Sequence, residues 1–303
     1  MVAQPQVKER TRPDWLKIRL TTSGKFLETQ KLIRENNLHT VCEEARCPNI
    51  YECWGRQTAT IMILGATCTR SCGFCSVKTG KPDNVDWEEP LRTAATVKAM
   101  QLRHVVITSV DRDDLKYDYG AEIWADTIQE IRRQSPECTI EVLTPDFRNY
   151  PPAIEKVFQA APDIFSHNIE CVQRISRMVR PQSDWNRSIS VLKASIVWGL
   201  QTKTGMMVGL GENDSEILET MQEIADLGIT IFNIGQYLQP TLQHLPVQRF
   251  VHPDIFEIYK EKGLEMGFRV VESGPLVRSS YHADEQVRRL KTVEYLETKK
   301  ASL

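Results

Sequence analysis

From about residue 58 the chain alternates short apolar runs with amphipathic stretches. Thr58–Gly65, TATIMILG, is β-branched and apolar and predicts a buried strand. Similar runs predict strands over Arg103–Val110, Thr139–Thr144, Asp163–Asn168, Thr202–Val208 and Thr230–Gln236. The stretches between them predict helices over Glu89–Gln101, Ala121–Gln134, Pro152–Ala160, Asp184–Gly199 and Asp214–Leu227. Strands alternating with helices mean a parallel sheet with its helices outside. Asp254–Met266 predicts a further helix and Phe268–Glu272 a further short strand. The chain divides into an N-terminal extension (1–57), a βα region (58–272) and a C-terminal tail (273–303).

The extensions follow different rules. Pro5 and Pro13 break the first part, and a short helix fits around Gly24–Glu35. Glu43, Glu44, Arg46, Asn49 and Pro48 then predict a loop wrapped around something, with little apolar surface of its own. The tail reads GPLVRSSYHADEQ before a charged helix, and its apolar Pro275–Val277 predicts that it docks.

The chain has 303 residues and a formal net charge of −2, which suits one large α/β domain with extensions. That balance gives no case for nucleic-acid or membrane binding. No apolar run approaches the ~18 residues that span a bilayer. The polar start, MVAQPQVKERTRPDW, lacks an apolar signal core, so a cytosolic protein is expected.

Cysteine changes the picture. Six of the eight lie within Val41–Ser76, where an even scatter would put about one. Cys42, Cys47 and Cys53 form C-x4-C-x5-C; Cys68, Cys72 and Cys75 form C-x3-C-x2-C directly after the first strand. Soft thiolates suit an iron–sulfur cluster, and a 4Fe–4S cluster takes four ligands. Three cysteines leave one iron for something else, such as a substrate or cofactor. Disulfides would need an oxidising compartment, and zinc would need extra ligands, yet no histidine lies between His39 and His104. Cys138 and Cys171 stand alone and read as small buried hydrophobes. His244 and His252 lack metal-ligand spacing and read as surface or loop residues. GLGE at Gly209 lacks the full dinucleotide fingerprint.

Chemistry in parallel α/β folds sits at the C-terminal ends of the strands. There stand the second cysteine triplet, SVDRDD (Ser109–Asp114), TPDFR (Thr144–Arg148), HNIE (His167–Glu170), GLGEN (Gly209–Asn213) and GQYLQPT (Gly235–Thr241). Six such groups in order favour a functional reading over ordinary polar loops.

The second triplet, with Phe74 before its last cysteine, resembles the signature of the radical S-adenosylmethionine (SAM) enzymes. Together with VCEEARCPNIYECW, VVITSVDRDD, HNIECVQRISRMVRP, TKTGMMVGLGE, IGQYLQPTLQHLPVQRF and GPLVRSSYHA, it makes the chain similar to the lipoyl synthase family from about Trp15 to Ala283. The resemblance favours a partial (β/α)6 barrel over an open doubly wound sheet. It implies two 4Fe–4S clusters. The one on Cys68, Cys72 and Cys75 chelates and reduces SAM, giving methionine and a 5′-deoxyadenosyl radical. That radical takes hydrogen from carbons 6 and 8 of an octanoyl chain amide-linked to a lysine. The one on Cys42, Cys47 and Cys53 gives up sulfur, with Ser280 as its fourth ligand and Ser279 as the alternative. Asn168, Glu170, Arg180, Lys203 and Ser109 are the SAM contacts the resemblance suggests, each of which could instead be a barrel-interior pairing. Implied partners are octanoylated carrier domains, either a 2-oxoacid dehydrogenase lipoyl domain or the glycine cleavage H protein, and a low-potential donor such as flavodoxin or ferredoxin. The protein is expected to act as a monomer. Two departures stand out: LKYDYGA (Leu115–Ala121), where the family usually has a glycine pair before the alanine, and TPDFRNY in place of PDFRG.

Two other readings compete. A methylthiotransferase or biotin-synthase-like sulfur inserter would keep the second triplet but not the first triplet with RSSY. An iron–sulfur scaffold or carrier would need neither the barrel nor polar groups at six strand ends.

Overall fold

The computed structural model describes residues 12–18, 22–56 and 58–301; Pro5 lies outside them. After a 3-10 turn at Asp14–Leu16, helix α1 spans Gly24–Glu35, with the Ser23 hydroxyl accepting from the Phe26 N–H. Strand β1 (His39–Thr40) leads into α2 (Val41–Glu44) and α3 (Ile50–Gly55). Cys42 and Cys53 therefore ride on two short helices with Cys47 in the turn between them, so the expected loop holds for residues 45–49 and is corrected on either side. Phe26 packs on Tyr51 and Trp54, with ring centroids 5.2 and 5.3 Å apart, and Trp54 is fully buried. This aromatic contact gives the segment an apolar footing that its polar residues mask in the sequence.

The βα region then runs β2 (Thr60–Ile63), a small ribbon of β3 (Thr67–Cys68) and β4 (Lys78–Thr79), and α4 (Glu89–Ala99). It continues through β5 (His104–Ser109), α5 (Ala121–Gln134), β6 (Thr139–Leu143), α6 (Pro151–Gln159), β7 (Ile164–Ser166), α7 (Gln173–Val179) and α8 (Trp185–Val197). Next come β8 (Thr202–Val208), α9 (Asp214–Asp226), β9 (Ile231–Gln236), α10 (Pro253–Met266) and β10 (Val270–Gly274), and α11 (Ala283–Ala301) follows the tail segment. The sheet order is β1-β2-β5-β6-β7-β8-β9-β10; only β1 runs antiparallel to its neighbour. Among the described residues no pairing joins β1 to β10, so the barrel is unclosed, as a partial barrel requires. The seven-residue helix α7 was not predicted. Only two turns long, it buries Ile175 and Val179 and shows little periodicity.

At both departures noted in the sequence a residue other than glycine takes a left-handed backbone. Tyr119 and Asn149 both take positive φ, 55° and 54°, the left-handed region that glycine occupies freely. Each thus holds the conformation a glycine would supply, and the Tyr119 and Tyr150 rings meet edge to face at 5.9 Å.

The tail docks as expected. A Cβ at Gly235 would stand 2.1 Å from the Val277 carbonyl oxygen, so only glycine lets the tail lie this close to β9. Asn49 Nδ2 donates to the Leu276 carbonyl at 2.7 Å, and Asn233 Nδ2 to the Ser279 carbonyl at 2.9 Å. Val287 and Leu290 of α11 cluster with Ile164, Ile231 and Val270, near or at the starts of β7, β9 and β10. The tail thus runs from the C-terminal ends of the strands to their N-terminal ends. No helix among the described residues is long and apolar enough to cross a membrane.

Candidate active site

One cavity of about 510 Å³ opens at the C-terminal ends of the strands, and all six clustered cysteines line it. All eight cysteines of the chain are free thiols, and Cys138 and Cys171 are buried as expected. Burial pushes Cys42, Cys53 and Cys68 up to about 12, and raises Cys47, Cys72 and Cys75 as well. Within each triplet the neighbouring thiols add to the rise, since thiolates close together repel. Such sites stay protonated until a cation takes the protons' place. Among the described residues no three His, Cys, Asp or Glu groups could hold a single metal ion. A 4Fe–4S cluster takes one cysteine per iron, so its ligands surround a larger body. Two soft triplets around one cavity fit that group.

The Cys68–Cys75 loop is fixed from several sides. Arg70 is buried, and its guanidinium spends its fork on three carboxylates. Nε and Nη2 each reach Asp113 at 2.8 Å, Nη2 reaches Asp146 at 2.7 Å and Nη1 reaches Asp111 at 3.1 Å. These acids come from the loops after β5 and β6. Asp111 also touches the second triplet itself: its N–H donates to Cys68 Sγ at 3.3 Å. Burial raises the Asp111 carboxyl to about 6 despite Arg70. On another side Ser71 N–H donates to Gln182 Oε1, and Gly73 N–H to the Val179 carbonyl at 2.8 Å. Phe74 lines the cavity and packs against the β7–β9 half of the core.

The residues suggested as SAM contacts separate into two groups. Asn168, Glu170, Arg180 and Ser109 line the cavity. Arg180 donates to the Asn168 carbonyl at 3.1 Å, while its Nη2 is buried without a partner. Asn168 Oδ1 is likewise buried and unpartnered. Buried polar atoms left unpaired are rare and costly, so both invite a polar ligand. Glu170 sits at φ 68°, and burial raises its carboxyl while Arg180 opposes the rise. Ser109 donates to the Val110 carbonyl at 2.8 Å. Lys203 is the correction. It does not line the cavity; its ammonium, fully buried, pairs with Glu141 at 2.9 Å in the barrel interior. The interior pairing has taken the ammonium that a cofactor contact would need.

The two tail serines face different partners. Ser280 Oγ accepts from Thr60 Oγ1 at 2.6 Å, and the Thr60 backbone bonds the Cys42 thiol. Ser279 Oγ accepts from Asn168 Nδ2 at 2.6 Å. Burial disfavours the charge on Arg278, and ionisation of the nearby Cys47 thiol would favour it. His244 lies in the loop after β9, a loop residue as expected. It is half-buried, and its Nε2 lies 3.0 Å from the Cys75 carbonyl oxygen. Glu212 of GLGE caps its own turn, accepting from the Gly209 and Leu210 N–H groups, which is a local structural use. Sequence reasoning passed over Arg70 although it stands inside the motif: spacing flags the cysteines and gives no sign of what an intervening arginine reaches.

The chain matches the model of the radical SAM superfamily over residues 62–224, and that of the N-terminal domain of lipoyl synthase of the radical SAM family over residues 2–47. A lipoyl synthase of Rubrobacter xylanophilus is 56% identical over 277 residues, 91% of this chain and 86% of that protein. A lipoyl synthase of Christiangramia forsetii is 48% identical over 283 residues, 93% of this chain and 96% of that one. Among solved structures, methylornithine synthase superposes with a TM-score of 0.53 at 13% identity, covering 82% of this chain and 84% of that one. SuiB of Streptococcus suis superposes at 0.56 and 12% identity, covering 74% and 54%. Likeness at such identities is likeness of fold alone.

Proposed function

The chain belongs to the lipoyl synthase family of the radical SAM superfamily, and from that premise we propose how its residues divide the work. Its activity is the insertion of two sulfur atoms at carbons 6 and 8 of an octanoyl chain held on a lysine of a lipoyl carrier domain, the sulfur coming from an auxiliary iron–sulfur cluster. When bound, a 4Fe–4S cluster on Cys68, Cys72 and Cys75 with SAM supplies a hydrogen-abstracting radical, and a second on Cys42, Cys47, Cys53 and Ser280 supplies sulfur.

The other residues hold and orient. Arg180 offers its unpartnered Nη2 to a carboxylate, and Asn168 offers Oδ1 to an ammonium, the two polar ends of an amino acid. Glu170, whose ionised form burial disfavours, gains from a cationic ligand beside it. Phe74 supplies apolar wall, and Ser109 a hydroxyl. Arg278 offsets negative charge near Cys47. Unactivated C–H bonds give an acid or base no handle, so the site needs no nucleophile–base pair.

The observation that carries this reading is the shared cavity: both cysteine triplets line it, with the unpartnered atoms of Asn168 and Arg180. A substrate held there meets the hydrogen acceptor and the sulfur source without release. We assign as carrier a 2-oxoacid dehydrogenase lipoyl domain or a glycine cleavage H protein, and as donor a low-potential flavodoxin or ferredoxin. We also assign a monomer working in the cytosol, where thiols stay reduced. The test is anaerobic single turnover of the reconstituted protein on an octanoyl-lysyl peptide with SAM and a reductant. Lipoyl product accompanied by 5′-deoxyadenosine is expected; a scaffold or carrier would give neither.

A further inference from the structure

The loop after β9 crosses to the cluster loop and holds it at two points two residues apart. Leu245 N–H donates to the Gly73 carbonyl at 2.9 Å, and His244 Nε2 lies 3.0 Å from the Cys75 carbonyl oxygen. Phe74 sits between the two held carbonyls. A Cβ at Gly73 would stand 2.9 Å from the Leu245 side chain, so the two segments are closely packed at this point. β2 and β9 are far apart in the sheet, with four strands between them, yet the loops that follow them meet here.

The tautomer of His244 follows from its partners. The Cys75 carbonyl can only accept, so Nε2 must carry the hydrogen. In the neutral ring Nδ1 is then an acceptor, and the Thr241 hydroxyl, 2.8 Å away, can donate to it. That hydroxyl in turn accepts from the Gln243 N–H at 3.3 Å, so its own hydrogen is free to point at His244. The strap carrying the ring is itself fastened. Gln239 Nε2 donates to the His244 carbonyl at 2.9 Å, and the buried Tyr237 donates its hydroxyl to the Leu245 carbonyl at 2.7 Å. Every group needed to fix one ring in one tautomer is present.

We infer that His244 is a positioning residue for the SAM-side cluster. It holds the peptide of Cys75, and through it the ring of Phe74, in the place that SAM binding needs. This rests on the assignment of Cys75 as a cluster ligand. Its reach is local: the auxiliary triplet touches no part of the strap in any hydrogen bond described above. Losing the bond should loosen the orientation of Cys75 and Phe74 while both clusters still assemble.

The test compares His244→Leu, His244→Gln and Thr241→Val in the fully reconstituted protein. Glutamine keeps an N–H donor near the Nε2 position; leucine keeps bulk and loses the donor. Iron content and the spectrum of the reduced SAM-side cluster, with and without SAM, are read alongside 5′-deoxyadenosine formation. His244→Leu is expected to keep the iron of both clusters, to show an altered SAM-induced spectral change, and to need about tenfold more SAM for half-maximal cleavage, the size of one good hydrogen bond. Glutamine should recover most of that loss, and Thr241→Val should fall between. A wild-type spectrum and SAM requirement in the leucine variant would overturn the inference, as would a glutamine variant as impaired as leucine. If His244→Leu fails to load iron, Thr241→Val decides: an unchanged SAM response there counts against the inference. Should the Cys75→Ala variant keep a SAM-responsive cluster, the ligand assignment itself is wrong, which is a separate outcome.

Discussion

Asn168 and Ser279 meet side chain to side chain, the amide donating to the hydroxyl at 2.6 Å. The contact ties a residue at the end of β7 to one 111 positions later. It also separates the tail serines. Ser279 is engaged on the Arg180 side of the cavity, while Ser280, through Thr60, lies on the Cys42 side.

Ser280→Ala is therefore expected to keep SAM cleavage and lose most lipoyl product, because it removes the fourth ligand proposed for the auxiliary cluster. Ser280→Cys should retain the cluster but release sulfur poorly, since thiolate suits iron better than a serine oxygen does. 5′-Deoxyadenosine and lipoyl product measured in the same reaction decide it. Full product from the alanine variant would remove Ser280 from the site.

Replacing Cys68, Cys72 and Cys75 together with Ala should leave about half of the wild-type iron, one cluster of two, and no SAM cleavage. Iron analysis and 5′-deoxyadenosine formation check this. Cleavage by the triple variant would show that another group holds SAM.

Replacing Cys42, Cys47 and Cys53 with Ala has the opposite signature. SAM cleavage continues and sulfur insertion stops. If lipoyl product still formed at one per protein, the sulfur would have another source.

Arg70 joins the cluster loop to three acids with its side chain 2% exposed. Arg70→Met leaves Asp111 without its cation, while Asp113 keeps Arg148 and Asp146 keeps Arg187, and should cost about 3 kcal/mol, the low end for a broken buried pair, in urea unfolding of the apoprotein. Arg70→Lys keeps the charge but not the planar fork, and should still lower the iron bound by the second triplet. A lysine variant with wild-type unfolding midpoint and iron content would mean that charge alone is required.

His167 sets a pH dependence. Burial, then the charge of Arg180, lowers it from 6.5 to about 4. Its Nδ1 faces the Thr144 carbonyl at 2.8 Å and its Nε2 the Ser188 hydroxyl at 2.9 Å, an arrangement that suits the neutral ring. Because the folded value is the lower one, the contribution is fully present above about pH 6.5 and is lost as pH falls toward 4, about 3 kcal/mol in all. Asp111, raised to about 6, acts in the opposite sense over an overlapping window, so wild type must be compared with His167→Gln. The difference in unfolding free energy between the two should shrink from pH 7 to pH 4.5. A constant difference would show that His167 does not titrate this way.

The regular elements were legible because each depends on local pattern. β8 spans Thr202–Val208 and α5 spans Ala121–Gln134, as their residues predict. The cysteine triplets were legible because spacing along the chain is itself the signal. What stayed hidden was decided by contacts far apart in sequence. Lys203 met Glu141 across 62 positions, and His244 met Cys75 across 169. Nothing local marks an arginine as reaching three acids, or a histidine as reaching a carbonyl. The short helices around Cys42 and Cys53 were hidden for a related reason, since Phe26 and Trp54 stabilise them from outside the polar stretch.

The contacts that bring the tail over the first triplet span more than two hundred residues: Asn49 to Leu276, Thr60 to Ser280, Arg56 to Glu285. A ribosome makes the cysteines first, then every strand of the barrel, and only afterwards the segment that covers them. During that interval the first triplet stands uncovered on its aromatic footing of Phe26 and Trp54. Until residues 275–283 are made, the chain has no segment to close the first triplet from that side.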